Sequence, residues 1–127
     1  MEKRKALVVD DEFHIVQVVS IKLKNNGFDV MTAGNGSEAY NLASEALPDI
    51  IISDCQMPIM NGLEMIEKLR QNSKTAHIPV IMLTARGFEI EDEQKEQLRI
   101  SACLSKPFSP REVLATIEDV LKQNVNV

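Results

Sequence analysis

The stretch Asp49-Ile-Ile-Ile-Ser-Asp-Cys-Gln-Met-Pro-Ile-Met-Asn-Gly62 decides the fold. Ile50, Ile51 and Ile52 are apolar on both sides of an extended chain, the pattern of a central parallel strand covered on both faces. One serine later the chain places a carboxylate, Asp54, where an ionised acid is costly to bury unless it finds a partner. The run then stops. A Met57-Pro58 step follows, and Asn61-Gly62-Leu63-Glu64 sets a capping residue three positions before a glutamate, the mark of a helix start.

Working outward, four more runs read as strands: residues 5–10, 28–33, 79–85 and 101–107. The first and fourth strands in chain order are nearly continuous in apolar residues, like the third, and read as central. The second alternates, with Phe28 and Val30 on one side, and the fifth is mixed; both read as edges. Helix-like segments separate the runs. Ser109-Pro110-Arg111-Glu112 repeats the capping pattern with proline at the first helical position. Val113, Ile117, Val120 and Leu121 then form an apolar stripe at helical spacing. Pro48 and Pro79 sit just before strands, where they stop the preceding helix. Residues 88–98 have the weakest helical period and are expected to be the most mobile helix. Strict alternation of five strands and five helices predicts an α/β fold with a doubly wound parallel sheet and right-handed crossovers.

With 127 residues, the chain is read as one domain, 1–127, able to bury a core without staples. A hydrophobic content of 44% and a charged content of 26% are ordinary for a globular protein. Net charge is −5, and no basic run extends beyond residues 2–5, which argues against direct nucleic-acid binding by this chain. Cys55 and Cys103 make no metal or redox pair, as expected of free thiols in a reducing compartment. The N-terminal apolar run is too short for a signal peptide or a membrane span, so a cytoplasmic protein is expected. Between Glu89 and Glu96 five acids face only Lys95, which reads as a solvated helix face. Residues 123–127 read as a fraying end or the start of a linker.

In a doubly wound sheet, ligands bind beyond the carboxyl ends of the strands, where the strand order reverses. Asp10 and Asp11 close the first strand and Asp54 the third. If those strands are neighbours, the three carboxylates meet, and like charges so close call for a cation among them. Oxygen ligands alone suit Mg²⁺ better than zinc. The fourth strand ends in the hydroxyl of Thr84 and the fifth in the ammonium of Lys106. A metal, a cation, a hydroxyl and an acceptor carboxylate are what phosphoryl transfer needs, and carboxylates do form aspartyl phosphates. Asp54 is therefore read as a phosphoryl acceptor.

These residues resemble the receiver domain of two-component response regulators, along essentially the whole chain. The resemblance rests on Asp10-Asp11, on Asp-x-x-Met-Pro-x-Met-Asn-Gly from Asp54 to Gly62, on Thr84-Ala85 and on Lys106-Pro107-Phe108. Each piece is weak alone; their order and spacing make the signal. The resemblance implies a flavodoxin-like five-stranded sheet of order 2-1-3-4-5. It implies that Asp54 is the phosphoacceptor, that Asp11, Asp54 and the backbone carbonyl of Gln56 ligate Mg²⁺, and that Asp10 acts through metal-bound water. Lys106 would pair with a phosphoryl oxygen, before a cis bond to Pro107, and Thr84 would swing onto the phosphoryl group beside the small Ala85. Implied partners are a sensor histidine kinase or phosphotransfer protein and a downstream effector, met around the fourth helix and fifth strand. A phosphorylation-dependent homodimer through the last helices is a family habit. Gln56 and Arg86 fall where the family tunes the lifetime of the aspartyl phosphate.

The chain also departs from the family. Cys103 stands where an aromatic residue usually reports the phosphorylation state, and Arg99-Ile100 stands where Gly-Ala is common, so the turn leaving the fourth helix is expected to differ.

Simpler readings compete at each position. The Asp10-Asp11 pair alone reads as a helix cap, Thr84 as a strand former, and Lys106 as a cover for apolar surface. Met57 and Met60 read as core fillers, and Cys103 as an inert buried thiol. His14 and His77 lack a partner pattern. Gly34-x-Gly36-x-x-Ala39 with Asp54 behind it has the spacing of a Rossmann-type dinucleotide site, yet that reading leaves Asp10, Asp11 and Lys106 unexplained. The two glycines more simply make a turn, with Ser37 or Asn35 capping the next helix. A pseudo-receiver that binds partners without phosphorylation is a further alternative, opposed by the complete acid set. A haloacid-dehalogenase-like phosphatase would want an aspartate where Gln56 stands.

Overall fold

The structure, a computed structural model, describes residues 3–85 and 88–125. The chain alternates β1 (Arg4–Val9), α1 (Phe13–Lys24), β2 (Phe28–Ala33), α2 (Gly36–Ala46), β3 (Ile50–Asp54), α3 (Gly62–Gln71), β4 (Val80–Thr84), α4 (Asp92–Leu98), β5 (Ala102–Ser105) and α5 (Pro110–Val125). The five strands form one parallel sheet of order β2-β1-β3-β4-β5, with β2 and β5 at the edges as their mixed patterns predict.

Side-chain alternation divides the core into two layers. Leu7, Val9, Ile51, Val80 and Met82 point to one face, where α2 and α3 bring Ala39, Ala43, Met65, Ile66 and Leu69. Ala6, Val8, Ile50, Ile52, Ile81 and Leu83 point to the other, against Val19 and Leu23 of α1 and the Val113–Leu121 stripe of α5. The isoleucine run thus feeds both layers, which is why it needs no polar side. Met57 and Met60 pack against the α2/α3 layer, as core fillers should.

Two helices start as their sequences predict. Asn61 accepts from the Glu64 N–H at 2.8 Å, while Glu64 accepts from the Asn61 N–H at 3.1 Å. Ser109 and Glu112 make the same reciprocal pair at the start of α5, both bonds 3.1 Å. Each satisfies donors the helix itself leaves open. At α2 the cap is Asn35, whose side chain accepts from the Glu38 N–H at 2.9 Å.

The fourth helical segment departs from expectation. Residues 88–91 are not helical, and α4 begins only at Asp92. The cause is Ile90, which is buried in the α2/α3 layer, while Glu91 beyond it is extended, at φ −62° and ψ 143°. The turn after α4 departs too. A residue in the left-handed region ends the helix, as glycine would, but that residue is Arg99, at φ 54°. Arg86 lies outside the described residues. No helix among the described residues is long and apolar enough to cross a membrane.

Candidate functional site

Parallel register brings the acids together. Val9 pairs with Ser53, so the next residues along, Asp10 and Asp54, come to lie side by side at the carboxyl edge of the sheet. The Asp10 N–H donates to the Ala33 carbonyl at 3.2 Å and fixes the end of β1 to β2. Asp10, Asp11 and Asp54 each offer a carboxylate oxygen within 4.8 Å of the others. Asp10 and Asp54 are buried and Asp11 is exposed.

Lys106 arrives from the far side. Thr84 pairs with Ser105, and the Lys106 N–H donates to the Thr84 carbonyl at 2.8 Å, extending the ladder past the end of β5. The bond to Pro107 is cis, as the resemblance implies. The ammonium lies 3.0 Å from a Glu12 oxygen, 3.4 Å from Asp10 and 3.6 Å from Asp54.

Glu12 is the residue the sequence reading missed. It follows the acid pair directly and reaches the same ammonium, so its place in the run Asp10-Asp11-Glu12 was the available signal. The helix-cap reading of the acid pair fails. The cap of α1 is Glu12 and makes no side-chain capping bond, while an Asp10 oxygen accepts from the Glu12 N–H at 2.9 Å.

Charge in this pocket is out of balance. Burial, then the negative charge of Asp10, pushes the Asp54 carboxyl up to about 6; Lys106 and a 3.0 Å bond from the Cys55 N–H pull it back only in part. Burial also raises Asp10, against the Glu12 N–H and Lys106. Glu12 is lowered by its hydrogen bond to Lys106 and by the ammonium's charge. Burial alone would lower Lys106, but Glu12, Asp10 and Asp54 outweigh it and leave the ammonium above its usual range. One lysine does not satisfy this many carboxylates. The donor set is all oxygen and short of positive charge, which fits a hard divalent cation such as Mg²⁺.

The remaining site residues take distinct places. Thr84 is buried, and its hydroxyl donates to the Leu104 carbonyl through a long 3.4 Å bond toward β5. Gln56 is exposed on the loop two residues beyond Asp54, and Ala85 is exposed just past β4. Cys103 lines a cleft of about 370 Å³ shared with Thr84, Phe88 and Lys95. Burial holds its thiol above the usual range, with Lys95 offsetting only part, which accords with an unreactive thiol. Cys55 packs into the α2/α3 layer rather than the acid pocket, as strand alternation predicts.

Two glycines permit close approaches, one beneath Asp54 and one beside the Met60 loop. A Cβ at Gly62 would collide with the backbone oxygen of Asp54 and the Met82 methyl group, so only glycine lets α3 start this close to β3. A Cβ at Gly36 would strike the Met60 carbonyl, and the Gly36 N–H already donates to that oxygen at 2.9 Å. The dinucleotide reading is thereby corrected. That N–H is committed to the protein, and the glycine serves a close approach of two loops rather than of a pyrophosphate.

The comparisons with known proteins agree with this geometry. Residues 6–118 match the model of the response regulator receiver domain family. The alkaline phosphatase synthesis transcriptional regulatory protein PhoP of Bacillus subtilis is 38% identical over 121 residues, 95% of this chain and 50% of that protein. The phosphate regulon transcriptional regulatory protein PhoB of Escherichia coli is 38% identical over 120 residues, 94% of this chain and 52% of that protein. The chain thus spans about half the length of these relatives. The solved structure of the chemotaxis response regulator CheY4 of Vibrio cholerae superposes with a TM-score of 0.86 at 36% identity, covering 94% of this chain and 99% of that one. A sheet of this order, with three aspartates and a lysine at its carboxyl edge, and a family match over most of its length, places the chain in the response regulator receiver domain family.

Proposed function

We propose that residues 1–127 form a single receiver unit of a two-component phosphorelay, in which Asp54 accepts a phosphoryl group from the phosphohistidine of a sensor kinase or phosphotransfer protein. The observation that carries this reading is the meeting of three carboxylates within 4.8 Å, with the Lys106 ammonium 3.6 Å from Asp54. Asp11, Asp54 and the Gln56 carbonyl would hold Mg²⁺ directly and Asp10 through water. When bound, the metal supplies the positive charge that phosphoryl oxygens need.

The chain's own groups do the rest. An oxygen lone pair of Asp54 forms the new O–P bond as the donor's P–N bond breaks, and that electron pair leaves on the imidazole nitrogen. Lys106 turns from the carboxylates to a phosphoryl oxygen. Thr84 gives up its weak bond to the Leu104 carbonyl and donates to another phosphoryl oxygen, and the exposed Ala85 leaves room for the group. This displacement is the local event that shifts the surface around α4 and β5 toward a downstream effector. The protein acts as a cytoplasmic signalling switch that catalyses only its own modification. A homodimer formed on phosphorylation through the last helices belongs to the same reading.

The test is intact-mass measurement after incubation with Mg²⁺ and acetyl phosphate, for wild type beside Asp54→Ala. One phosphoryl adduct is expected on wild type only. It should vanish with chelator. No adduct on wild type would favour a pseudo-receiver, and an equal adduct on the variant would move the acceptor elsewhere.

A further inference from the structure

At the opposite edge of the sheet from the acids, α3 ends, the loop of residues 72–79 crosses, and α4 turns into β5. Two guanidinium groups meet there. Arg70 donates to the carbonyls of Ile78 at 2.7 Å, Leu98 at 2.9 Å, Ala76 at 3.0 Å and Arg99 at 3.3 Å. Arg99 donates to the same Ala76 carbonyl at 3.2 Å, so the two like charges sit side by side on one oxygen. Among the described residues neither arginine has an acidic partner. Carbonyls satisfy the donors of Arg70 but do not neutralise its charge. The simplest reading of Arg70 is a staple, and its bonds support that.

Arg99 is harder to explain as a staple. Its guanidinium makes a single hydrogen bond among the described residues, leaving most of its five donors for other partners. Its backbone is left-handed at φ 54°, a conformation that costs a side-chain-bearing residue about 1 kcal/mol or more where glycine would be free. Such a conformation persists where the surrounding structure holds it in place, and here Arg70 holds the Arg99 carbonyl. The side chain opens on a cavity of about 220 Å³ lined also by Arg70, His77 and Ser101. Burial, reinforced by Arg99, lowers Arg70 to about 10, which marks the lack of a counter-charge.

We propose that this cavity binds an oxyanion of the phosphate class, gripped by the free donors of Arg99 against the half-buried positive wall of Arg70. A dianion balances two guanidinium charges, and the planar fork of arginine matches phosphate oxygens. Because Arg70 also holds the carbonyls that end α4, the ligand sits where it stiffens the C-terminal turn of that helix. The proposal is independent of the Asp54 chemistry.

The experiment uses the Asp54→Ala chain without Mg²⁺, so that the acid pocket takes no part. Inorganic phosphate and glycerol 3-phosphate are titrated in separate arms, each against sodium chloride of equal ionic strength, following backbone amide shifts. Saturable shifts centred on Ala76, Arg99 and Ser101 are expected with phosphate and not with chloride. Tighter binding of the monoester identifies a phosphate ester as the ligand, and tighter binding of inorganic phosphate identifies the free ion. Arg99→Gln should weaken binding at least tenfold, and Arg99→Lys should fall between, keeping charge without the fork. Arg99→Gly, which suits the left-handed backbone, should stay folded with a higher melting temperature yet gain nothing from phosphate. Shifts matched by chloride, or unchanged affinity in Arg99→Gln, would overturn the proposal.

Discussion

Helices α3 and α4 follow the strands that carry Asp54 and Thr84, and they are attached to the body in opposite ways. α3 buries Gly62, Met65, Ile66 and Leu69 and opens on a reciprocal capping box. α4 has seven residues, buries none of them and has no side-chain bond at its N-cap Glu91. What ties α4 down is at its far end, where Arg70 of α3 reaches the carbonyls of Leu98 and Arg99. Hydrophobic burial makes α3 part of the frame under Asp54, and its absence leaves α4 free to respond at little cost in packing. The element beside Thr84 is thus the more weakly held of the two.

The sharpest way to break this contrast is core truncation. Ile66→Ala should lower unfolding free energy by about 3 to 4 kcal/mol in denaturant titrations, whereas Leu98→Ala, on the half-buried end of α4, should lose about 1 kcal/mol. Similar losses at both positions would mean that α4 belongs to the frame after all.

Charge gives the next largest effect. Asp54 lies directly over the start of α3, with its carboxyl raised from 3.8 to about 6 by burial and by Asp10. The folded chain therefore keeps this proton to higher pH than the unfolded chain. Without Mg²⁺, stability should fall as pH rises from about 4 to 6 and then stay low. Asp54→Asn should recover about 2 kcal/mol at pH 7, shrinking toward zero below pH 4, as read by melting with chelator present. A variant no more stable than wild type at pH 7 would show that the buried acid is not strained.

A smaller effect isolates the tether of α4. Arg70→Met keeps the apolar stem and removes the guanidinium, so it should cost about 1 to 2 kcal/mol. Amide protection should drop in α4 and in the 72–79 loop while the first turns of α3 keep theirs.

The sequence carried most of this design, for identifiable reasons. Consecutive isoleucines can satisfy two layers only in a central strand, and both Asn61/Glu64 and Ser109/Glu112 formed the caps their spacing implies. The acids converged because parallel register makes residues at equivalent strand ends neighbours. What the sequence hid were choices between near-equal local states. The burial of Ile90 overrode helical continuity in residues 88–91, and nothing local reveals which apolar residue of a weak segment the core will claim. Glu12 carried no motif, and its role depends on a lysine far along the chain. The left-handed Arg99 contradicts the residue's own preference, so propensity points away from it.

Hydrogen exchange of α3 and α4, measured before and after treatment with Mg²⁺ and acetyl phosphate, tests whether the proposed acceptor Asp54 is coupled to α4. Exchange in Asp92–Leu98 should change in wild type, exchange in Gly62–Gln71 should not, and Asp54→Ala should show neither change. A stoichiometric adduct that leaves α4 unaltered, or that alters α3 as much, would contradict this reading of the two helices.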